Sequence, residues 1–369
     1  MMRIFHNTNW VAVISLSLVL VPVATPGFSQ QRQQHGLNFI SEIKGSVEMK
    51  KPEWKSYQRA YGGETLSPSD KLRLAQGASA KVICDNLMSW DLNSKGEFEV
   101  SKGCPSTTRQ VLRRPNAKTS PTRAGNDPTI PYLISPRNSA ILTRQPTFRW
   151  NPVETATSYQ VKVLGPDVNW STQVNQPQVV YSSKQPLKPG SRYWVNITAS
   201  NGVSNEKEEG RFRGFSVLND ADTKQVNAEI AQLQQEALSN ESKMLALAHL
   251  YRSNDLNADA IDLLEGLVKK GSRSTAVFQL LGSTYEQVGL NQLARERYLT
   301  ALQRAKAERN LAGQAIIRAS LGEVDVSLDQ LKQAFQWFQD AQDNYQLLGD
   351  QRQVEELKQK MDDLKRRIS

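Results

Sequence analysis

Histidine and cysteine are scarce in this chain, with three histidines and two cysteines in 369 residues. The two sulfurs, Cys84 and Cys104, do not complete a tetrahedral metal shell, and no histidine lies near them. There is no Gly-rich phosphate cradle, zinc-binding HExxH helix, nucleophile elbow or paired-carboxylate signature. His35 sits in the polar leader QQRQQHG, and no recognisable motif pairs His249 with a Ser or Cys nucleophile. Asp255, Asp259 and Asp262 form an acidic cluster without the alternating donors and terminal glutamate of a calcium loop. These absences lead to the expectation of a protein that is not an enzyme and carries no cofactor or metal.

Long apolar runs are equally rare. The only one is WVAVISLSLVLVPVA, Trp10–Ala24, preceded by Arg3 and followed by TPGFS. This layout predicts an export signal over residues 1–29, cleaved near Ser29, with a periplasmic or secreted product. A retained N-terminal anchor is the alternative, although the run is short of the roughly 20 apolar residues that a spanning helix needs. Acidic residues are outnumbered, giving a formal charge of +9. That balance favours anionic surfaces, including wall polymers. Nucleic acid is disfavoured because no dense basic patch with interleaved aromatics appears. In an oxidising compartment Cys84 and Cys104, 20 residues apart, are candidates for a disulfide worth roughly 3 kcal/mol of loop-closure entropy. Two buried thiols are the other reading.

What is present falls into three textures. Residues 37–113 read as a small all-β domain: SEIKGSVEMK, KLRLAQGASAKVICD and SWDLNSKGEFEV alternate apolar and polar around Gly, Asn and Asp turns. Gly45-Ser-Val47, Trp54, and GGETLSPSDKLRLAQGASAKV resemble the FecR-like periplasmic domain. In its best-known setting that family relays an outer-membrane signal to a sigma factor. Neither an intervening span nor an N-terminal cytoplasmic domain is expected from the sequence, so the resemblance implies the fold and not the relay; a membrane-anchored sensor stands as an alternative. Residues 114–131, RPNAKTSPTRAGNDPTIP, read as a linker.

Residues 132–219 carry a second series of short strands, with Trp150, Tyr159, Val161 and Val163 as the expected inward set. The stretch Leu187-Lys-Pro-Gly-Ser-Arg-Tyr193-Trp-Val195 resembles the tyrosine-corner strand of fibronectin type III domains, and Phe148, Trp150 and Tyr159 extend the match. The resemblance implies a β-sandwich that serves as a spacer or binding unit.

Residues 220–369 read as helices. Leu247, Ala248, Tyr251, Ala260 and Leu264 recur as Leu281, Gly282, Tyr285, Ala294 and Tyr298, at an offset of 34 residues. Units of this length bury their apolar faces only by stacking into a solenoid. A third copy follows 40 residues on, at Leu321, Gly322, Ala334, Phe338 and Ala341; Asp325 stands where tyrosine is expected, which predicts a weaker first helix. Val354, Leu357, Met361, Leu364 and Ile368 mark an amphipathic terminal helix suited to capping the stack.

The units resemble tetratricopeptide repeats, whose first helices line a concave peptide groove. The resemblance assigns Ser242, Leu245, His249, Arg252 and Ser253 to that face in the first unit. It assigns Ala276, Gln279, Ser283, Glu286 and Gln287 in the second. Leu245 and His249 stand where the family's carboxylate clamp has lysine and asparagine, which argues against that clamp's ligand. The domain order resembles exported multidomain proteins of cyanobacteria. The expected function is an envelope adaptor or scaffold binding a protein partner through the repeats, with a glycan or anionic wall-polymer module in the β domains as the alternative.

Overall fold

The computed structural model describes residues 38–105, 127–208 and 212–368. The expected signal segment and residues 114–126 of the expected linker lie outside them. The first module contains β1 (Asn38–Lys44), β2 (Val47–Lys50), β3 (Gln58–Arg59), β4 (Thr65–Leu66), β5 (Lys71–Leu74), β6 (Ser79–Ile83), β7 (Ser89–Leu92), β8 (Gly96–Glu99) and one helical turn, α1 (Val100–Gly103). They form two four-stranded antiparallel sheets, ordered β4-β1-β6-β7 and β3-β2-β5-β8. The alternation read in KLRL is realised: Leu72 and Leu74 are buried with Val47, Met49 and Val82, while Lys71 and Arg73 face water. Cys84 and Cys104 are joined by a disulfide across a Cα separation of 5.2 Å.

β1 departs from simple alternation. Its register against β6 shifts between Ile40 and Glu42, a bulge at Ser41. Ile40 packs into the module's own core, whereas Phe39 belongs to the core of the helical region. The strand is thus buried on both faces.

The second module contains β9 (Leu133–Ser135), β10 (Ser139–Ile141), β11 (Thr147–Trp150), β12 (Tyr159–Gly165), β13 (Val168–Val174), β14 (Gln178–Val180), β15 (Arg192–Ala199) and β16 (Gly214–Val217). A five-stranded sheet, β10-β16-β15-β12-β13, accompanies a three-stranded one, β14-β11-β9. β10 runs parallel to β16; the other pairings are antiparallel. Trp150, Tyr159, Val161 and Val163 all lie in its core. The Tyr193 hydroxyl accepts from the Lys188 backbone N–H at 2.7 Å, closing the corner expected of a fibronectin type III-like sandwich.

The helices are α2 (Asp220–Gln235), α3 (Asn240–Ser253), α4 (Asn257–Lys269), α5 (Thr275–Gln287), α6 (Asn291–Ala307), α7 (Leu311–Ser327), α8 (Leu331–Leu348) and α9 (Gln351–Ile368). Each packs on the next, forming a tetratricopeptide-like solenoid. Small residues sit opposite large ones: a Cβ on Gly282 would lie 2.8 Å from the Tyr298 ring, and one on Gly322 2.2 Å from Phe338. The turns inside the pairs use left-handed residues, with φ of +61° at Asp255 and +76° at Gly289, so aspartate substitutes for glycine in the first copy. The longer register of the third copy is taken up in helix length, 17 residues in both α6 and α7 against 13 in α4 and α5. The expected weakness of the third unit's first helix is not seen. Asp325 is buried and accepts from Arg295 Nε at 2.7 Å and Trp337 Nε1 at 2.9 Å, so a hydrogen-bonded pair of side chains fills the tyrosine's place. α9 buries Val354, Leu357, Met361 and Leu364 and leaves its other face charged.

Both β modules rest on the solenoid. The second meets the turns within helix pairs: Ala140 N donates to Asp255 O at 2.8 Å, and the buried Arg137 donates through Nε to Val288 O at 3.0 Å. The first meets the turns between pairs, where Lys55 N donates to Leu348 O at 2.9 Å. Because paired helices are antiparallel, these two sets of turns lie on opposite edges of the stack.

Candidate functional site

α3 and α5 carry the residues that the sequence assigns to the groove. Its first half is covered by the chain's own first module. The β1 bulge at Ser41 lies against Ser242, whose hydroxyl donates to the Ser41 carbonyl at 2.8 Å. Ser239 N donates to Glu42 Oε1 at 2.6 Å. Phe39 stacks on His249 with ring centroids 5.1 Å apart. Gly63, with φ of +87°, brings the turn before β4 so close that a Cβ there would lie 2.1 Å from Ala276 Cβ and 3.1 Å from Leu245 Cδ2. Tyr61 OH donates to Glu308 O at 2.6 Å, and Asn310 Nδ2 donates to Glu64 Oε1 at 3.0 Å. Ser242, Leu245 and His249 are consequently buried.

The second half is composed differently. Arg252, Ser253, Ser283, Glu286 and Gln287 occupy the C-terminal ends of α3 and α5 and remain half-exposed, as do Ala276 and Gln279. Arg252 donates to Gln287 Oε1 at 3.1 Å and ties the two helices together. Ser253 and Ser283 donate to carbonyls of their own helices, and Glu286 accepts from Tyr298 OH at 2.7 Å. A cleft of about 140 Å³ lies where this half meets the module, with Lys51, Trp54, Arg252, Gln279 and Ile316 in its lining. Phe39, Gly63 and Glu64 are the residues that sequence reading does not pick out. Phe39 lies in NFIS, four consecutive buried residues of β1, and Gly63 and Glu64 lie in the GGET turn, and neither stretch signals in sequence that it meets the helices.

The electrostatics follow from this closure. Burial, reinforced by Arg252, pushes the His249 imidazole down to about 3, so it is neutral and not poised as a base. No carboxylate supports it in the manner of a catalytic dyad. Burial pushes the Glu64 carboxyl up to about 7, against the hydrogen bonds from Tyr61 N and Asn310 that favour its charged form. A carboxyl with a raised folded pKa contributes most to stability below its unfolded value of 4.5, and that contribution is lost as pH rises through about 7. Glu64→Gln is therefore expected to remove part of the stability loss across this window. Urea midpoints of both proteins at about pH 5 and about pH 8 check it; parallel pH profiles would refute it. His249 contributes in the opposite sense below its unfolded value of 6.5, but equally in both proteins, so their difference isolates Glu64.

Among the described residues, no group of three or more His, Cys, Asp or Glu side chains is arranged to hold a metal ion, and no helix is long and apolar enough to cross a membrane.

No protein-family model matches the chain, and no curated protein matches it. Among solved structures the chain is similar to the crystal structure of BtubC (BKLC) from P. vanneervenii, at 15% identity and a TM-score of 0.27, covering 39% of this chain and 72% of that one. It is also similar to the crystal structure of MamA, at 20% identity and a TM-score of 0.28, covering 40% of this chain and 96% of that one.

Proposed function

We propose that the chain is a non-catalytic adaptor of a bacterial envelope, exported by its N-terminal segment, whose repeats bind a protein partner through the open half of the concave face. The observation that carries this reading is the division of that face. Residues of the first module lie against Ser242, Leu245, His249 and Ala276, while Arg252, Gln279, Ser283 and Gln287 form a half-exposed polar strip. A rigid helical-repeat stack with an exposed inner surface is suited to protein–protein interaction.

The division also selects the variants that test the reading. Changes at Leu245 or His249 disturb the docking of the first module, so loss of a partner there has two explanations. Changing Arg252, Gln279, Ser283 and Gln287 together addresses the open strip and the cleft it borders without touching the module's contacts at Ser242, Leu245 and Phe39. In-cell crosslinking followed by identification of captured proteins should recover a defined envelope partner with the native chain and lose it with the fourfold variant. Capture of the same partners by both proteins would overturn the reading. Mass spectrometry of the mature N-terminus, expected near Gln30, tests export separately.

A further inference from the structure

We propose that the cleft between the first module and the repeats is a binding site for a small organic anion, a carboxylate carried on a compact apolar body. The cleft measures about 140 Å³. That is close to the roughly 150 Å³ cavity that accommodates a benzene ring.

Its walls have a division of labour. Met49, Trp54, Ala312 and Ile316 give the apolar surface, Trp54 and Met49 from the module and the other two from α7. Lys51 and Arg252 bring positive charge from the two sides of the seam. Lys51 Nζ lies 5.9 Å from the centre of the Trp54 ring and pairs with the buried Asp70 carboxylate at 4.0 Å, and Arg252 donates to Gln287 at 3.1 Å, so a ligand would share both cations with these partners. Glu64 is the one carboxyl group among the lining residues, and both its oxygens are already engaged, by Tyr61 N at 3.0 Å and Asn310 Nδ2 at 3.0 Å. His249 is neutral, as its lowered pKa requires. The Gln279 side-chain amide, half-exposed in the lining, makes no hydrogen bond among the described residues and supplies a donor. Cationic and amide donors in a cleft walled on part of its surface by apolar side chains favour an acceptor-rich, negatively charged ligand over a neutral one. The site exists only while the module is docked, because its walls come from both sides.

This inference does not rest on the protein-partner reading. The test is calorimetric titration of the full chain with phenylacetate and, separately, with the isosteric neutral amide phenylacetamide. Saturable phenylacetate binding is expected, with the amide at least tenfold weaker. Lys51→Met, which keeps the packing over Trp54, and Arg252→Met are each expected to weaken phenylacetate at least tenfold, with unchanged far-UV circular dichroism. Three results would overturn the proposal: no phenylacetate binding at millimolar concentration, equal binding of the amide, or binding that neither variant affects.

Discussion

Replacing Arg137 with alanine is expected to lower the unfolding free energy by about 3–5 kcal/mol, the range for breaking one partner out of a buried ion pair. Arg137 is fully buried, and so is the carboxylate of Glu208 that it faces. Nη1 and Nη2 reach the two carboxylate oxygens at 3.1 Å each, Nη1 also reaches Leu133 O at 3.1 Å, and Nε reaches Val288 O. The guanidinium lies 4.8 Å from the centre of the Phe212 ring. One side chain thereby joins β9, the loop after β15 and the turn between α5 and α6. Alanine would leave a buried carboxylate and two carbonyls without these donors. The size of the loss comes from what is orphaned, so Arg137→Met combined with Glu208→Gln should cost less than the sum of the single changes. Equilibrium urea unfolding of the unsubstituted chain, Arg137→Met, Glu208→Gln and their combination measures the coupling, with Arg137→Ala measured beside them; strict additivity, or a loss below about 1 kcal/mol for Arg137→Ala, would count against this account.

Gly63→Ala is the second large effect. The new methyl group would stand 2.1 Å from Ala276 Cβ, a separation that no side-chain rotation relieves, and the φ of +87° is itself unfavourable for an L side chain. Overpacking of this kind costs about 1–3 kcal/mol, and a left-handed non-glycine residue adds about 1–2 kcal/mol. The expected consequence is local: the first module loosens from the groove while its disulfide-closed sandwich stays folded. His249 reports it. Docked, its imidazole titrates at about 3; with Phe39 withdrawn and water admitted, its pKa should move toward the ordinary 6.5, which NMR of the C2 proton follows directly. Ala276→Gly in the same chain removes the steric part and leaves the backbone part, so the double variant should recover only partly. An unchanged His249 titration in Gly63→Ala would show that the contact does not hold the module in place.

The difference between Arg137 and Gly63 bears on what can be read from a sequence. Arg137 belongs to no motif, and Gly63 enters the sequence reading only as part of the GGET stretch of a fold resemblance. Arg137 reads as one more surface cation among 46 lysines and arginines, and Gly63 as half of a glycine turn. By contrast, Tyr193, Gly282 and Gly322 are legible, because their partners Lys188, Tyr298 and Phe338 lie within 5 to 16 residues and recur in a fixed register. Asp325 stands between the two cases. Its departure from the repeat pattern is visible, but not the Arg295 and Trp337 donors that satisfy its buried carboxylate.

The sequence by itself determined the two β modules, the repeat register, the inward sets of the strands and the amphipathic end of the stack. All of these follow from periods of two residues, of three to four, or of about 34, which local backbone geometry converts directly into faces. Only the tertiary structure decided that the first module fills half of the concave face. That decision rests on surfaces brought together from positions about 200 residues apart, such as Ser41 with Ser242, and no local period encodes it. A groove residue such as His249 looks the same in sequence whether a partner or its own chain covers it. Here Phe39 covers it, and the open strip beyond is what remains for another molecule.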